Sequence, residues 1–206
     1  MRAFKCKSVR GKLTLGKAVF METCEVISSG GLIVYPTETI YGLGCDPWNE
    51  DAVEKLFAVK RRDKGAPISI AVPSLYALTM YAEFDDNAIE FCAKHLPGPV
   101  TVVLKATDTA PPWLISKDGL IGLRVPDHPI ANELLRFLGP LTSTSANRHG
   151  DPPPVTCEEA MSKLGDDVGV YVDGGPCKVA KESTVVDLSA SERRIIRMGA
   201  IPEEEL

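Results

Sequence analysis

A chain of 206 residues, 44% hydrophobic and 25% charged, suits one soluble globular domain with a core that needs no staples. Its net charge of −5 excludes a polycation that coats nucleic acid, so any such contact needs a local basic patch. No apolar run approaches the ~18 residues of a membrane helix, and the first twenty residues hold no continuous apolar h-region.

Val19, Phe20, Cys24 and Ile27 recur at helical spacing, and Gly30 and Gly31 end that run. Leu32 to Tyr35 reads as a buried strand. Asn49 caps a helix carrying Ala52, Val53, Leu56 and Phe57 and ending near Lys60. Pro67 to Val72 is a further strand, and Ser74 to Tyr81 is a helical stretch. Asp85 opens a helix with Ala88, Ile89, Cys92 and Leu96 on one face.

Pro97, Gly98 and Pro99 break that helix and lead into the strand VTVVLK. Thr107 to Gly119 is loop-like. Leu120 to Val125 is a strand, and Pro129 opens an amphipathic helix with Ile130, Ala131, Leu134, Leu135 and Leu138 on one face. Gly139 and Pro140 stop it before a short strand that enters STSAN. Thr156 and Glu159 form a capping box for a helix to Leu164. Val168–Val172, Thr184–Leu188 and Arg194–Arg197 read as strands, and the EEEL tail is expected to fray. The fold class is α/β: one open, twisted, mixed sheet with flanking helices, spanning residues 1–206 as a single domain. The polar motifs fall at strand ends, where open α/β sheets place their ligands.

Several catalytic signatures are absent. There is no GxxxxGK[ST], no GxGxxG and no GxSxG. The histidines at 95, 128 and 149 form no metal-like spacing, and the six cysteines at 6, 24, 45, 92, 157 and 177 form no CxxC. Scattered thiols in apolar stretches point to a reducing compartment, the cytoplasm.

What remains is a set of hydroxyl, amide and cationic residues, each with two readings. In PTETIY, an extended loop would point Thr37, Thr39 and Tyr41 one way and line a pocket. A Pro-led turn would leave them as connectors. KRRDK at 60–64 is either a solvated helix end or a phosphate clamp with Lys60 as a point charge and Arg62 as a fork. STSAN at 143–147 is either a turn or an anion site. Ser183 and Thr184 in KESTVVD start a strand. Arg124 sits in an apolar run and needs an anionic partner, either a structural carboxylate such as Asp127 or a substrate carboxylate. His128, between Asp127 and Pro129, reads as a helix-start residue rather than a base. With no nucleophile or general base evident, such a set suits a small zwitterion held beside a polyphosphate.

These segments come in a recognisable order: PTETIYGLGCD (36–46), Lys60 and Arg62 as K-x-R, DKG (63–65), PGPVT (97–101), GLRVPDHP (122–129), STSAN, ESTVVD (182–187) and RMGAI (197–201). The chain resembles the YrdC-like family, the threonylcarbamoyl-AMP synthases, over nearly its whole length. The resemblance implies that L-threonine, bicarbonate and ATP, with Mg²⁺, give threonylcarbamoyl-AMP and pyrophosphate. A threonylcarbamoyl-transferase complex would then modify N6 of adenosine 37 in tRNA.

By motif position, Thr39, Arg124 and Ser183 would contact threonine. Lys60, Arg62, Ser143, Ser145, Asn147 and Arg197 would serve ATP. Thr37, Tyr41 and Thr101 are further candidates, and no protein ligand for a metal is identified. Asp63, Ala66 and Ala71 stand where longer members carry Pro, Asn and His. The chain stops soon after RMGAI, as expected of the short, single-domain type. A non-catalytic module that binds double-stranded RNA or tRNA is the alternative.

Overall fold

A computed structural model describes residues 2–9 and 12–206, without the side chains of Lys7, Ser8, Val9 and Lys12. In chain order the elements are β1 (Arg2–Lys5), β2 (Lys7–Val9), β3 (Lys12–Thr14), α1 (Lys17–Ser28), β4 (Ile33–Tyr35), β5 (Gly42–Gly44) and α2 (Glu50–Lys60). There follow β6 (Ser69–Ala71), α3 (Leu75–Leu78), α4 (Asp86–His95), β7 (Val100–Lys105), β8 (Leu120–Arg124), α5 (Pro129–Leu138) and β9 (Leu141–Ser145). The last are α6 (Cys157–Leu164), β10 (Val170–Asp173), β11 (Thr184–Asp187) and β12 (Arg194–Arg197).

Among the described residues, ten strands form one sheet in the order β1-β10-β4-β5-β9-β6-β8-β7-β11-β12, and β2 and β3 pair separately. The sheet is mixed. β1, β10 and β4 run parallel, as do β6 with β8 and β7 with β11, while β5 and β9 are antiparallel to their neighbours. This is the expected open α/β architecture.

Side chains alternate across a strand, and here the alternation separates core from site. Ile70, Val102, Leu104, Ile121, Leu123 and Val186 enter the main core with Leu56 and Phe57 of α2 and Phe91 and Cys92 of α4. Their neighbours Ser69, Thr101, Val103, Gly122 and Val185 face the other way. On that second face, Ile33, Tyr35, Ala71, Leu141 and Val172 are covered by Val19 and Ile27 of α1 and by Ile130, Leu134 and Leu135 of α5. The cover stops there. Beyond it the face over β6, β8, β7 and β11 is bare and forms a cleft.

Helix starts follow their caps. Asn49, Ser74 and Asp85 accept from the backbone N–H three residues on. Thr156 does the same for Glu159, while the Glu159 carboxylate reaches back to the N–H of Val155. His128 is the residue before α5, as its place in the sequence suggests.

Three expectations need correction, and four strands were not anticipated. The 74–81 stretch forms helix only over Leu75–Leu78. Ile89 is 52% exposed; Phe91 packs inward beside Ala88 and Cys92 instead. The tail does not fray: Glu203–Glu205 makes a 3₁₀ turn that returns Leu206 to the main core, so burial of one leucine outweighs three charges that stay in water. Finally, the β1, β2, β3 and β5 segments carry no strand signal: three are polar or basic edge pieces and β5 is GLG.

Candidate functional site

The cleft is a concavity of about 450 Å³ across the bare face of the sheet. Small residues make it: Gly42, Ser69, Gly122, Ser143 and Ser145 stand where larger side chains would fill the space. A Cβ on Gly122 would already lie 3.0 Å from the Cβ of Ser69. Arg124 ends β8 and Ser183 precedes β11, while the floor of the cleft is the sheet itself.

At one end lies Arg124, the last residue of β8 and 5% exposed. Its Nη2 donates to Glu38 Oε1 at 2.7 Å and to Thr39 Oγ1 at 3.2 Å. Its Nε is buried without a partner. The structural carboxylate beside Arg124 is thus Glu38; Asp127, the example given for that role, instead donates its backbone N–H to Glu38 Oε2 at 3.1 Å. The Thr37 and Thr39 hydroxyls lie 2.8 Å apart, and Thr37 Oγ1 also bonds the carbonyl of Ile40 at 2.7 Å. Thr37 lines the cleft; Thr39 stands behind it against Arg124. The loop bends at 38–40 rather than staying extended, so Tyr41 points elsewhere. Its hydroxyl donates to the carbonyl of Gly175 at 2.7 Å, and burial raises its pKa far above the ordinary phenol range.

At the other end are two guanidinium groups. Arg62 donates to the carbonyl of Pro67 at 2.9 Å, and its Nε is buried without a partner. Burial, and then the charge of Arg197, lowers its pKa. Arg197 bonds Glu182 at 2.7 Å and the carbonyl of Ser183 at 3.0 Å. Ser183 Oγ in turn lies 2.8 Å from Thr101 Oγ1, so Arg197, Ser183 and Thr101 form one connected strip along the cleft.

Ser143 and Ser145 line the cleft from β9, whereas Lys60 and Asn147 lie behind that wall. Lys60 Nζ bonds the carbonyls of Ser145 and Asn147. Burial, and then the nearby Arg62, bring its pKa down to about 8. Asn147 uses its Nδ2 on the carbonyls of Arg148 and Asp151 and leaves Oδ1 buried without a partner.

Asp118, Glu182, Ser69 and the apolar Val103, Leu114, Leu120 and Ile196 also line the cleft. No local motif marks Asp118 or Leu114, which arrive on the loop after β7. Ser69 and Gly122 carry a weak signal: each is a small residue flanked by buried apolar ones. Ala71 packs beneath α5 with Tyr35 and Ile130 rather than opening on the cleft. His128, at the start of α5, is kept neutral by burial, its pKa pushed down to about 4.

A cleft with a buried, partly unpaired arginine at one end and two crowded guanidiniums at the other can hold two anions side by side. A family model for the Sua5/YciO/YrdC domain, described as Telomere recombination, matches residues 25–199. Threonylcarbamoyl-AMP synthase of Pseudomonas putida is 36% identical over 180 residues, 86% of this chain and 96% of that protein. Among solved structures, Pyrococcus abyssi Sua5 complexed with L-threonine superposes with a TM-score of 0.92 at 28% identity; all of this chain is covered, and it spans 59% of the length of that protein. Escherichia coli YciO superposes with a TM-score of 0.87 at 29% identity over 98% of this chain and 97% of its own. With a match of this extent, and a cleft built from the motifs that carry it, the chain belongs to the Sua5/YciO/YrdC family.

Proposed function

We propose that this protein is an L-threonylcarbamoyladenylate synthase. It condenses L-threonine, bicarbonate and ATP into threonylcarbamoyl-AMP and pyrophosphate, for N6-threonylcarbamoyladenosine formation at position 37 of tRNA. The observation that carries the reading is the division of charge in one cleft: Arg124 with a free buried Nε at one end, Arg62 and Arg197 together at the other. Relatives named as threonylcarbamoyl-AMP synthases support it, as does the threonine complex of the Pyrococcus abyssi protein.

The chemistry asks little of side-chain bases. The threonine amine and bicarbonate give a carbamate and water. A carbamate oxygen, already anionic, forms a bond to the α-phosphorus of ATP, and the bond to pyrophosphate breaks. The protein must align two anions and offset their repulsion. Arg124 would hold the threonine carboxylate, with Thr37, Thr101 and Ser183 around it and Thr39 behind, against the guanidinium. Arg62, Arg197, Ser143 and Ser145 would face the triphosphate, with Lys60 and Asn147 behind them.

No group of three or more His, Cys, Asp or Glu suited to a metal occurs among the described residues. Glu182 is engaged by Arg197 and Asp118 stands singly, which fits Mg²⁺ entering on the triphosphate, where it would neutralise phosphate charge. All six cysteines are free thiols, in keeping with a cytoplasmic site of action. No helix of the described residues is long and apolar enough to cross a membrane. The intermediate would pass to a separate threonylcarbamoyl transferase. A purely RNA-binding module is the less favoured reading, given relatives named for catalysis.

The test is direct. Protein, labelled ATP, L-threonine, bicarbonate and Mg²⁺ should release pyrophosphate only when threonine is present. Threonine-independent release, or none, together with tight binding of duplex RNA, overturns the synthase reading.

A further inference from the structure

Glu38 belongs to none of the candidate sets, yet it is the residue that Arg124 grips. The two side chains are 8% and 6% exposed. One carboxylate oxygen of Glu38 takes Arg124 Nη2 at 2.7 Å, and the other takes the backbone N–H of Asp127 at 3.1 Å. Nη2 is thus committed to Glu38 and Thr39, while Nε is buried, unpaired and part of a residue that lines the cleft.

We propose that Glu38 is the positioning residue that assigns Arg124 to the amino-acid carboxylate and keeps it from the triphosphate. The inference rests on the synthase reading above. Its logic is that of charge in a shared cleft. Three arginines line one concavity, and ATP is by far the most highly charged anion to enter it. A free Arg124 would be drawn to the phosphates along with Arg62 and Arg197.

Pairing with Glu38 cancels the long-range part of its charge. What survives is short-range and directional: the guanidinium N–H groups that Glu38 and Thr39 do not take, offered to a planar carboxylate placed against the Arg124 end of the cleft. The tie from Glu38 to Asp127 N–H fixes the pair to the backbone between β8 and α5, so the donor does not wander. Glu38 therefore sorts the two anions, each to its own cation, before they react.

The test compares wild type with Glu38→Gln, Glu38→Asp, Arg124→Gln and the Glu38→Gln/Arg124→Gln double variant. It reads L-threonine and ATP binding by calorimetry, KM for each substrate, and thermal stability. Glu38→Gln should weaken threonine binding by roughly tenfold or more, while ATP binds as well as before or more tightly. A merely structural loss would weaken both. The double variant should bind threonine no worse than Arg124→Gln alone, because Glu38 acts through Arg124. Should Glu38→Gln fail to fold, Glu38→Asp keeps the charge and shifts the guanidinium; it should raise the threonine KM alone.

Unchanged threonine binding, equal losses for threonine and ATP, or additive losses in the double variant overturn the proposal. Wild type separates the two readings. Absence of threonine-dependent pyrophosphate release from wild type overturns the synthase and this proposal with it. A working wild type beside an unaltered Glu38→Gln overturns this proposal alone.

Discussion

Lys60 Nζ donates to the backbone carbonyl of Asn147 at 2.9 Å. Both residues carry motif positions expected to serve the nucleotide, yet here they serve each other. Lys60 is 2% exposed, and its second bond goes to the carbonyl of Ser145. The ammonium thus holds the end of β9, which presents Ser143 and Ser145 to the cleft, and the loop that follows it. Its charge can reach a phosphate only through that loop, as a field rather than as a direct contact.

This arrangement predicts a pH dependence. Burial lowers the Lys60 pKa from 10.5 to about 8. Bound triphosphate adds negative charge nearby and raises that pKa, so by linkage ATP binds the protonated form better. ATP affinity should therefore fall as pH rises through about 8. Stability runs the opposite way. The folded state holds fewer protons than the unfolded state between about 8 and 10.5, so this group favours folding more as pH climbs through that window. ATP calorimetry from about pH 6.5 to 9.5 checks the first claim. Lys60→Met should bind ATP weakly and without the step near pH 8.

A second prediction concerns crowding at the phosphate end. Arg62 is disfavoured as a cation by burial first and then by Arg197, with Glu182 offsetting part of this, so its charge adds little to the stability of the substrate-free fold. Arg62→Met should leave thermal stability unchanged or slightly raised. It should cost ATP affinity roughly tenfold or more, the loss of a charge-assisted contact. Differential scanning calorimetry beside ATP titration decides it. A large loss of stability would show that Arg62 is held for packing instead.

Gly199 supplies a third. A Cβ there would sit 2.4 Å from the carbonyl carbon and oxygen of Ser183 and from the carbonyl oxygen of Glu182. These are backbone atoms and cannot swing aside. Gly199→Ala must push the strand that delivers Ser183 and so break its 2.8 Å contact with Thr101. Overpacking of this kind costs about 1–3 kcal/mol. Melting should fall by several degrees, and the threonine KM should rise more than the ATP KM.

How much of this was legible beforehand depends on the range of the interaction. Where three or four neighbours decide the outcome, the pattern in the chain suffices. The Asn49 cap, the Pro129 start and the apolar stripe Ile130, Ala131, Leu134 and Leu135 all appear as expected. Where partners lie far apart, it does not. The partner of Arg124 is 86 residues away, because the bend after β4 lays Glu38 against the end of β8; Asp127 is nearer in sequence but offers only its N–H. β5 is a strand without strand-forming residues. Its glycines are required by Tyr35, whose ring would lie 2.8 Å from a Cβ at Gly44 and 3.2 Å from one at Gly42. The cleft residues were visible only in part for the same reason. Motifs mark Arg62, Ser143 and Arg197, but Asp118 is brought in by the path of a loop, which leaves no periodic trace.

Thr184 allows the sharpest test of how the tail supports the site. Its side chain is fully buried at the start of β11. The hydroxyl donates to the carbonyl of Ile201 at 2.6 Å and accepts from the N–H groups of Gly199 at 3.1 Å and Ile201 at 3.0 Å. One oxygen thus closes three backbone groups of the segment that follows Arg197. Thr184→Val keeps the shape and removes the oxygen, stranding those groups, at about 1–3 kcal/mol for an unsatisfied buried donor or acceptor. The segment from Gly199 to Leu206 should then become open to limited proteolysis. Arg197, two residues upstream, should lose its fixed line to Glu182, and the ATP KM should rise. Thr184→Ser retains the hydroxyl and should restore protection and KM together. If serine fails to rescue while valine is harmful, the methyl group is needed as well as the hydroxyl, because valine keeps the methyl and serine keeps the hydroxyl.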